Sequence, residues 1–154
     1  MTGQLHLERF VPYRLAVLTN IVSESIATAY EQEFDLTIPE WRVLAVLARY
    51  PNSSAIEVGE RAALDKVAVS RAVQSLIAAR RVRRSYDKGD RRRSMLRLSP
   101  TGKSVYTRVA PLALRYERRL LSSLSLQDRR ALTRLISRLI ERAHEMNGDG
   151  AVKR

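Results

Sequence analysis

The stretch Asp65-Lys-Val-Ala-Val-Ser-Arg-Ala-Val-Gln-Ser-Leu-Ile77 decides the fold. Val69, Val73, Leu76 and Ile77 recur at helical spacing and share one face. Asp65 is suited to cap that helix, because its side chain can accept a hydrogen bond from an orphan amide of the first turn. Just upstream, Ser54-Ala-Ile-Glu57 is a capping box, in which each side chain satisfies the other residue's free backbone donor. The helix it opens is short and ends near Ala63. Two short helices separated by two or three residues predict a helix-turn-helix.

Downstream the pattern changes after Arg81. Val82-Arg-Arg-Ser-Tyr-Asp87 and Ser94-Met-Leu-Arg-Leu-Ser99 are strand-length segments flanking Lys88-Gly89-Asp90-Arg91-Arg92-Arg93. The Gly-Asp pair favours a reversal, and Leu96 and Leu98 alternate with Arg97, so a basic β-hairpin is expected. Ser99-Pro100 reads as an N-cap followed by proline at the first helical position, opening a helix to about Ser122. Ser125-Leu-Gln-Asp128 opens the last one, with Leu132, Leu135, Ile136, Leu139, Ile140 and Ala143 on a near-heptad stripe. From about Asn147 the chain is polar and is expected to fray.

Upstream, Leu15, Leu18, Val22, Ile26, Ala29 and Tyr30 give one helical face between Phe10 and Phe34, with Pro12 tolerated in the first turn. This helix has more apolar face than its own small domain needs. Thr37-Ile-Pro-Glu40 starts another, with Trp41, Leu44, Ala45 and Ala48 expected inward and a stop at Tyr50-Pro51. The expected order is α-α-α-α-β-β-α-α: mainly α with a small β-hairpin wing, in the α+β class.

Charge narrows the function. The 154 residues are 45% apolar, enough for a real core, yet the formal net charge is +12. Between Arg61 and Arg97 twelve Lys or Arg face three acids, a net of +9. Three-quarters of the excess therefore sits on the second short helix and the hairpin. That concentration suits a polyanion, because every neutralised phosphate releases counterions. On the second short helix Lys66, Ala68, Ser70, Arg71, Gln74 and Ser75 lie off the apolar face. Arg can fork onto guanine O6 and N7, Gln can pair with adenine N6 and N7, and Ala68 can pack on a thymine methyl. An arginine from the hairpin tip suits the negative potential of a narrow minor groove.

Other classes fit less well. The histidines, His6 and His144, stand near the two ends without an acid, nucleophile or metal-ligand spacing around them. No phosphate-cradling glycine loop is present, so neither an enzyme nor a cofactor is implied. There is no cysteine, which excludes disulfides and thiol sensing and fits a reducing cytoplasm. The N-terminus does not read as a signal peptide, and no segment is apolar enough to span a membrane. RNA binding and sequence-indifferent architectural DNA binding stay open as alternatives. Against the first, the basic segment offers only Tyr86 for stacking on bases. Against the second, Arg71 and Gln74 occupy base-reading positions.

At these residues the chain resembles the MarR family of bacterial regulators. The matching pieces are Leu36-Thr-Ile-Pro-Glu-Trp-Arg-Val-Leu44, Val69-Ser-Arg-Ala-Val-Gln-Ser-Leu76, Asp90-Arg-Arg92 and Leu96-Arg-Leu-Ser-Pro-Thr-Gly102, in family order and spacing. The resemblance covers roughly residues 10 to 146. It implies a homodimer, with dimerisation helices at 1–35 and 100–146, a winged helix-turn-helix at 36–99 and a disordered tail at 147–154. It also implies a pseudo-palindromic operator, with Ser70, Arg71 and Gln74 in the major groove. Asp90 would shape the wing, Arg91 or Arg92 would enter the minor groove, and Lys66, Arg84, Lys88 and Arg93 would add basic contacts. One departure stands out: the family has glycine near Arg80, so the helix-to-wing turn is expected to differ. Many members are repressors released by a small ligand. Pro12-Tyr-Arg-Leu15 and Pro39-Glu-Trp-Arg42 resemble a subgroup tied to aromatic-acid catabolism, whose ligands include hydroxycinnamates and their CoA thioesters. Tyr13, Arg14, Asn20 and Trp41 are the matching pocket candidates; ordinary core for Trp41 and ordinary surface for Arg14 is an equal alternative.

Overall fold

The computed structural model describes residues 5–86, 89 and 94–151. Its elements are α1 (Val11–Ala27), α2 (Glu31–Phe34), α3 (Ile38–Arg49), α4 (Ala55–Ala62), α5 (Lys66–Ala78), β1 (Val82–Tyr86), β2 (Ser94–Leu98), α6 (Pro100–Leu120) and α7 (Leu126–Ala151). The chain divides into two compact units, Met1–Leu114 and Arg115–Arg154.

In the first unit the core is built by α3, α4 and α5 under the hairpin, with Leu44, Leu47, Val58, Val73, Leu76, Val82 and Leu96 buried. The capping box Ser54–Glu57 opens α4. The Asp65 carboxylate accepts the Ala68 N–H at 2.8 Å and opens α5. Between the two helices the chain turns through Ala63 in a left-handed conformation, φ 53°. The Leu64 and Ala63 amides close onto the Gly59 and Glu60 carbonyls. Gly59 permits the close crossing, because a Cβ there would stand 3.0 Å from Val69 Cγ2. β1 and β2 pair antiparallel from Val82↔Leu98 to Tyr86↔Ser94. The Ser53 carbonyl accepts the Leu96 N–H at 2.8 Å and adds a third, single-residue rung.

Three expectations change. The single helix from Phe10 to Phe34 is broken into α1 and α2, because Tyr30 swings fully into the core beside Trp41. Burial pushes the Tyr30 hydroxyl pKa up to about 12, with the Glu31 charge adding to the rise and Arg42 opposing it. On α3 the buried face is Glu40, Val43, Leu44 and Leu47. Trp41, Ala45 and Ala48 are only half-buried, so the face expected from periodicity is rotated by part of a turn. Finally, α7 continues past Asn147 to Ala151, since Gly148 and Gly150 weaken a helix by only about 1 kcal/mol each without breaking it.

In the second unit Ser125 and Asp128 bond reciprocally at the start of α7: the Asp128 N–H donates to Ser125 Oγ at 3.1 Å, and Ser125 Oγ donates to the carboxylate at 2.6 Å. The α7 stripe of Leu132, Leu135, Ile136, Leu139 and Ile140 is exposed. In the first unit, Leu15, Leu18 and Ile21 of α1 are exposed as well.

Two substitutions test the backbone reading. Ala63→Gly should raise stability in urea unfolding by about 0.5–1 kcal/mol, because glycine has no left-handed penalty. Gly102→Ala should lower it by about 2–3 kcal/mol, since its Cβ would stand 1.9 Å from the Arg81 carbonyl oxygen.

Candidate nucleic-acid interface

At 3.6 residues per turn, Lys66, Ser70 and Gln74 form a ridge along α5, with Val67 and Arg71 beside it. All five are exposed, while Val69, Ala72, Val73 and Leu76 face the core. The predicted contacts Lys66, Ser70, Arg71 and Gln74 thus share one open face. Ala68 does not: it is half-buried, and its amide is engaged by Asp65. Val67, 59% exposed, is the apolar side chain on that face. Periodicity alone hides it, because a valine inside an apolar run reads as core. Ile56 of α4 is more exposed still.

Arg84 approaches from the hairpin. It pairs with Leu96 in the ladder yet remains exposed. With Lys66 and Ser70 it rims a largely apolar cleft of about 460 Å³ between α4 and α5. Lys88, Asp90, Arg91, Arg92 and Arg93 lie outside the described residues.

Beneath α5 lies Glu40, a carboxylate on α3 with only 7% of its surface exposed. Its Oε2 accepts the Thr37 N–H at 2.7 Å and the Thr37 hydroxyl at 2.8 Å. Burial raises its pKa, but a hydrogen bond from Ser75 of α5, the bonds from Thr37 and the charge of Arg81 outweigh burial and hold it below its ordinary value. Glu40 thus carries an electrostatic link between α3 and Ser75 of α5. Motif spacing could have flagged this, since Thr37 and Glu40 have capping-box separation.

At the other end of α5, Arg80 takes the left-handed conformation, φ 57°. The Arg81 amide closes onto the Leu76 carbonyl at 2.8 Å and the Arg80 amide onto Ile77 at 2.9 Å, a Schellman ending. The expectation of a different turn is corrected: the turn is the glycine-type one, made by an arginine whose strain the surroundings hold. The Arg81 guanidinium caps the end of α2 through the Phe34 and Asp35 carbonyls at 2.5 and 3.2 Å. Ser99 Oγ donates to the Arg80 carbonyl at 2.6 Å and accepts the Gly102 N–H at 3.0 Å. α5, the hairpin and α6 meet at Arg80, Arg81, Ser99 and Gly102.

Of the pocket candidates, Tyr13, Arg14 and Asn20 lie exposed on α1. Trp41 is half-buried, stacked on Tyr106 at 5.8 Å and tilted against Tyr30 at 5.8 Å. No hydrogen bond or ring contact among the described residues joins it to the other three. Among those residues no group of acids and histidines is placed to hold a metal, and no helix is long and apolar enough to cross a membrane.

Residues 34–93 match the model of the MarR family. No curated protein matches the chain. Among solved structures it is similar to a MarR/EmrR family transcriptional regulator from Acinetobacter sp. ADP1, at 25% identity over 92% of this chain and 99% of that one, TM-score 0.84. It is also similar to the PcaV transcriptional regulator of Streptomyces coelicolor, solved with its natural ligand, at 24% identity over 92% and 99%, TM-score 0.74. A third likeness is to Bordetella bronchiseptica BpsR, whose DNA binding is regulated by 6-hydroxynicotinic acid, at 22% identity over 89% and 97%, TM-score 0.78. The family matches are transcriptional regulators, not enzymes, and the fold is a winged helix.

The tie between α3 and α5 gives a pH prediction. Because the Glu40 carboxyl is more acidic folded than unfolded, its contribution to stability is present above its ordinary pKa and lost as pH falls through the lowered value. Between about pH 5 and pH 3 the wild type should therefore lose stability more steeply than Glu40→Gln. Parallel slopes in urea titrations would contradict the tie.

Proposed function

We propose, with the MarR-type winged helix as premise, that this chain is a sequence-specific transcriptional regulator that binds a pseudo-palindromic operator as a homodimer. The observation that carries this is the open face of α5, where Lys66, Ser70, Arg71 and Gln74 stand together without an apolar neighbour covering them. A helix presenting forked donors beside a basic hairpin suits the major groove. Arg71 reads guanine, Gln74 reads adenine, Ser70 adds a hydroxyl, and Lys66 and Arg84 neutralise phosphates. Methyl contact falls to the exposed Val67 as well as to Ala68. At the wing tip Asp90 holds the turn, Arg91 or Arg92 enters the minor groove, and Lys88 and Arg93 add backbone charge.

The exposed apolar residues of α1 and α7 support the homodimer, since contiguous apolar surface on a basic, water-facing chain marks an interface. In the proposed division, 1–35 and 100–146 carry the dimer and 36–99 carries the DNA. The cell compartment is the cytoplasm, where DNA and a cysteine-free regulator meet. PcaV with its natural ligand and BpsR with 6-hydroxynicotinic acid support a repressor released by a small aromatic acid or its CoA thioester. Tyr13, Arg14 and Asn20 are the side chains proposed to meet it, Arg14 pairing with a carboxylate. Trp41 is proposed to form an aromatic wall through its stack on Tyr106.

Arg71→Ala should weaken binding to a selected operator by about 1–3 kcal/mol and flatten the preference among sequences. Equal weakening on all duplexes, measured by fluorescence anisotropy, would remove the major-groove assignment. Leu135→Asp combined with Leu139→Asp should yield monomers or unfolded chains in analytical ultracentrifugation. A folded dimer that still binds operator would sink the proposed interface.

A further inference from the structure

The base of the hairpin carries charge that the operator contacts do not use. Arg83 and Arg97 stand directly opposite one another in the β1–β2 ladder, both exposed. Like charges at paired positions destabilise a hairpin. Together with Arg80 they line a cleft of about 560 Å³, to which Arg84, Ser99 and Thr101 also contribute. No carboxylate is among its described lining residues, and none of the four guanidinium groups forms an ion pair among the described residues. Ile77 and Val82 add apolar wall to the same cleft.

Arg83 and Arg97 form the second rung of the described ladder, next to Val82 and Leu98 at its base. Arg80 is held by the left-handed turn, and the start of the long helix α6 opens at the same place, so amide donors add to the positive field. Arg83 and Arg97 on one face of the ladder, with Arg80 beside them and no carboxylate among the described lining residues, suit phosphoryl oxygens more than a single carboxylate. The volume suits a small organic molecule more than a bare ion.

We propose that this cleft binds a small anion carrying two or more phosphoryl groups, of the nucleoside diphosphate or polyphosphate kind. The inference goes beyond the operator reading and shares with it only Arg84, which lines both this cleft and the one between α4 and α5.

Calorimetric titration of the full chain with pyrophosphate, at constant ionic strength, tests the site. The expected result is saturable binding, one per chain, weakened more than tenfold in R83A/R97A. R97E should also lose binding, while its Tm without ligand is equal to or above that of the wild type, because a repulsive cross-strand pair becomes attractive. Absence of saturable binding, or undiminished binding in both variants, would overturn the proposal. So would a fall in the ligand-free Tm of R97E. If pyrophosphate fails to bind but R83A/R97A lowers affinity for duplex DNA with a shallower salt slope, the arginines belong to the DNA backbone and the proposal is wrong.

Discussion

The backbone of Arg80 and Arg81 joins the exposed face of α5 to the hairpin. Arg80 accepts a left-handed conformation so that α5 can end and β1 can begin with only three residues between them. The peptide carbonyls of both residues are held from the far side of the hairpin, by the Ser99 hydroxyl at 2.6 Å and the Ser99 amide at 3.0 Å. Gly102 lets α6 come close enough for this, and the Arg81 side chain fastens the turn to the end of α2. A non-glycine residue in this conformation costs about 1–2 kcal/mol, and these bonds are what hold it there. The angle between recognition helix and wing is a property of this junction.

Two electrostatic regimes follow. Inside, Glu40, the buried carboxylate among the described residues, accepts the Thr37 amide and hydroxyl and faces Ser75 of α5. Outside, the two ion pairs among the described residues, Arg108–Glu33 and Arg142–Glu145, involve no residue of α5 or of the two strands. Exposed pairs of this kind contribute little to stability. The arginines of α5 and the strands have more consequence, because self-repulsion is tolerated where a polyanion is to be met. Arg84 lines two clefts, one between α4 and α5 and one at the hairpin base.

Local signals made most of the fold legible. Both caps of the helix-turn-helix, the hairpin and the Ser-Pro start of α6 are short-range features, and each stands within a residue or two of its expected place. What was not legible depends on contacts distant in sequence. The break before α2 needs Tyr30 to meet Trp41, and the rotated face of α3 needs a buried Glu40 that polarity would place outside. For the candidate site, the phase of Lys66, Ser70, Arg71 and Gln74 followed from spacing alone. Val67 was hidden because apolar residues read as core, and the Arg83–Arg97 pair was hidden because register is needed to bring them opposite. Arg80 misled in the other direction: glycine preference is about cost, and a tied-down arginine can meet that cost.

The central claim is that two such lobes read two half-sites with α5 in the major groove. Selection of bound fragments from a genomic library by the full chain, followed by sequencing, tests it most directly. The account predicts inverted half-sites with centres about one DNA turn apart, roughly 10 to 10.5 base pairs. Recovery of one unpaired motif, or of fragments with no enriched sequence, would contradict it.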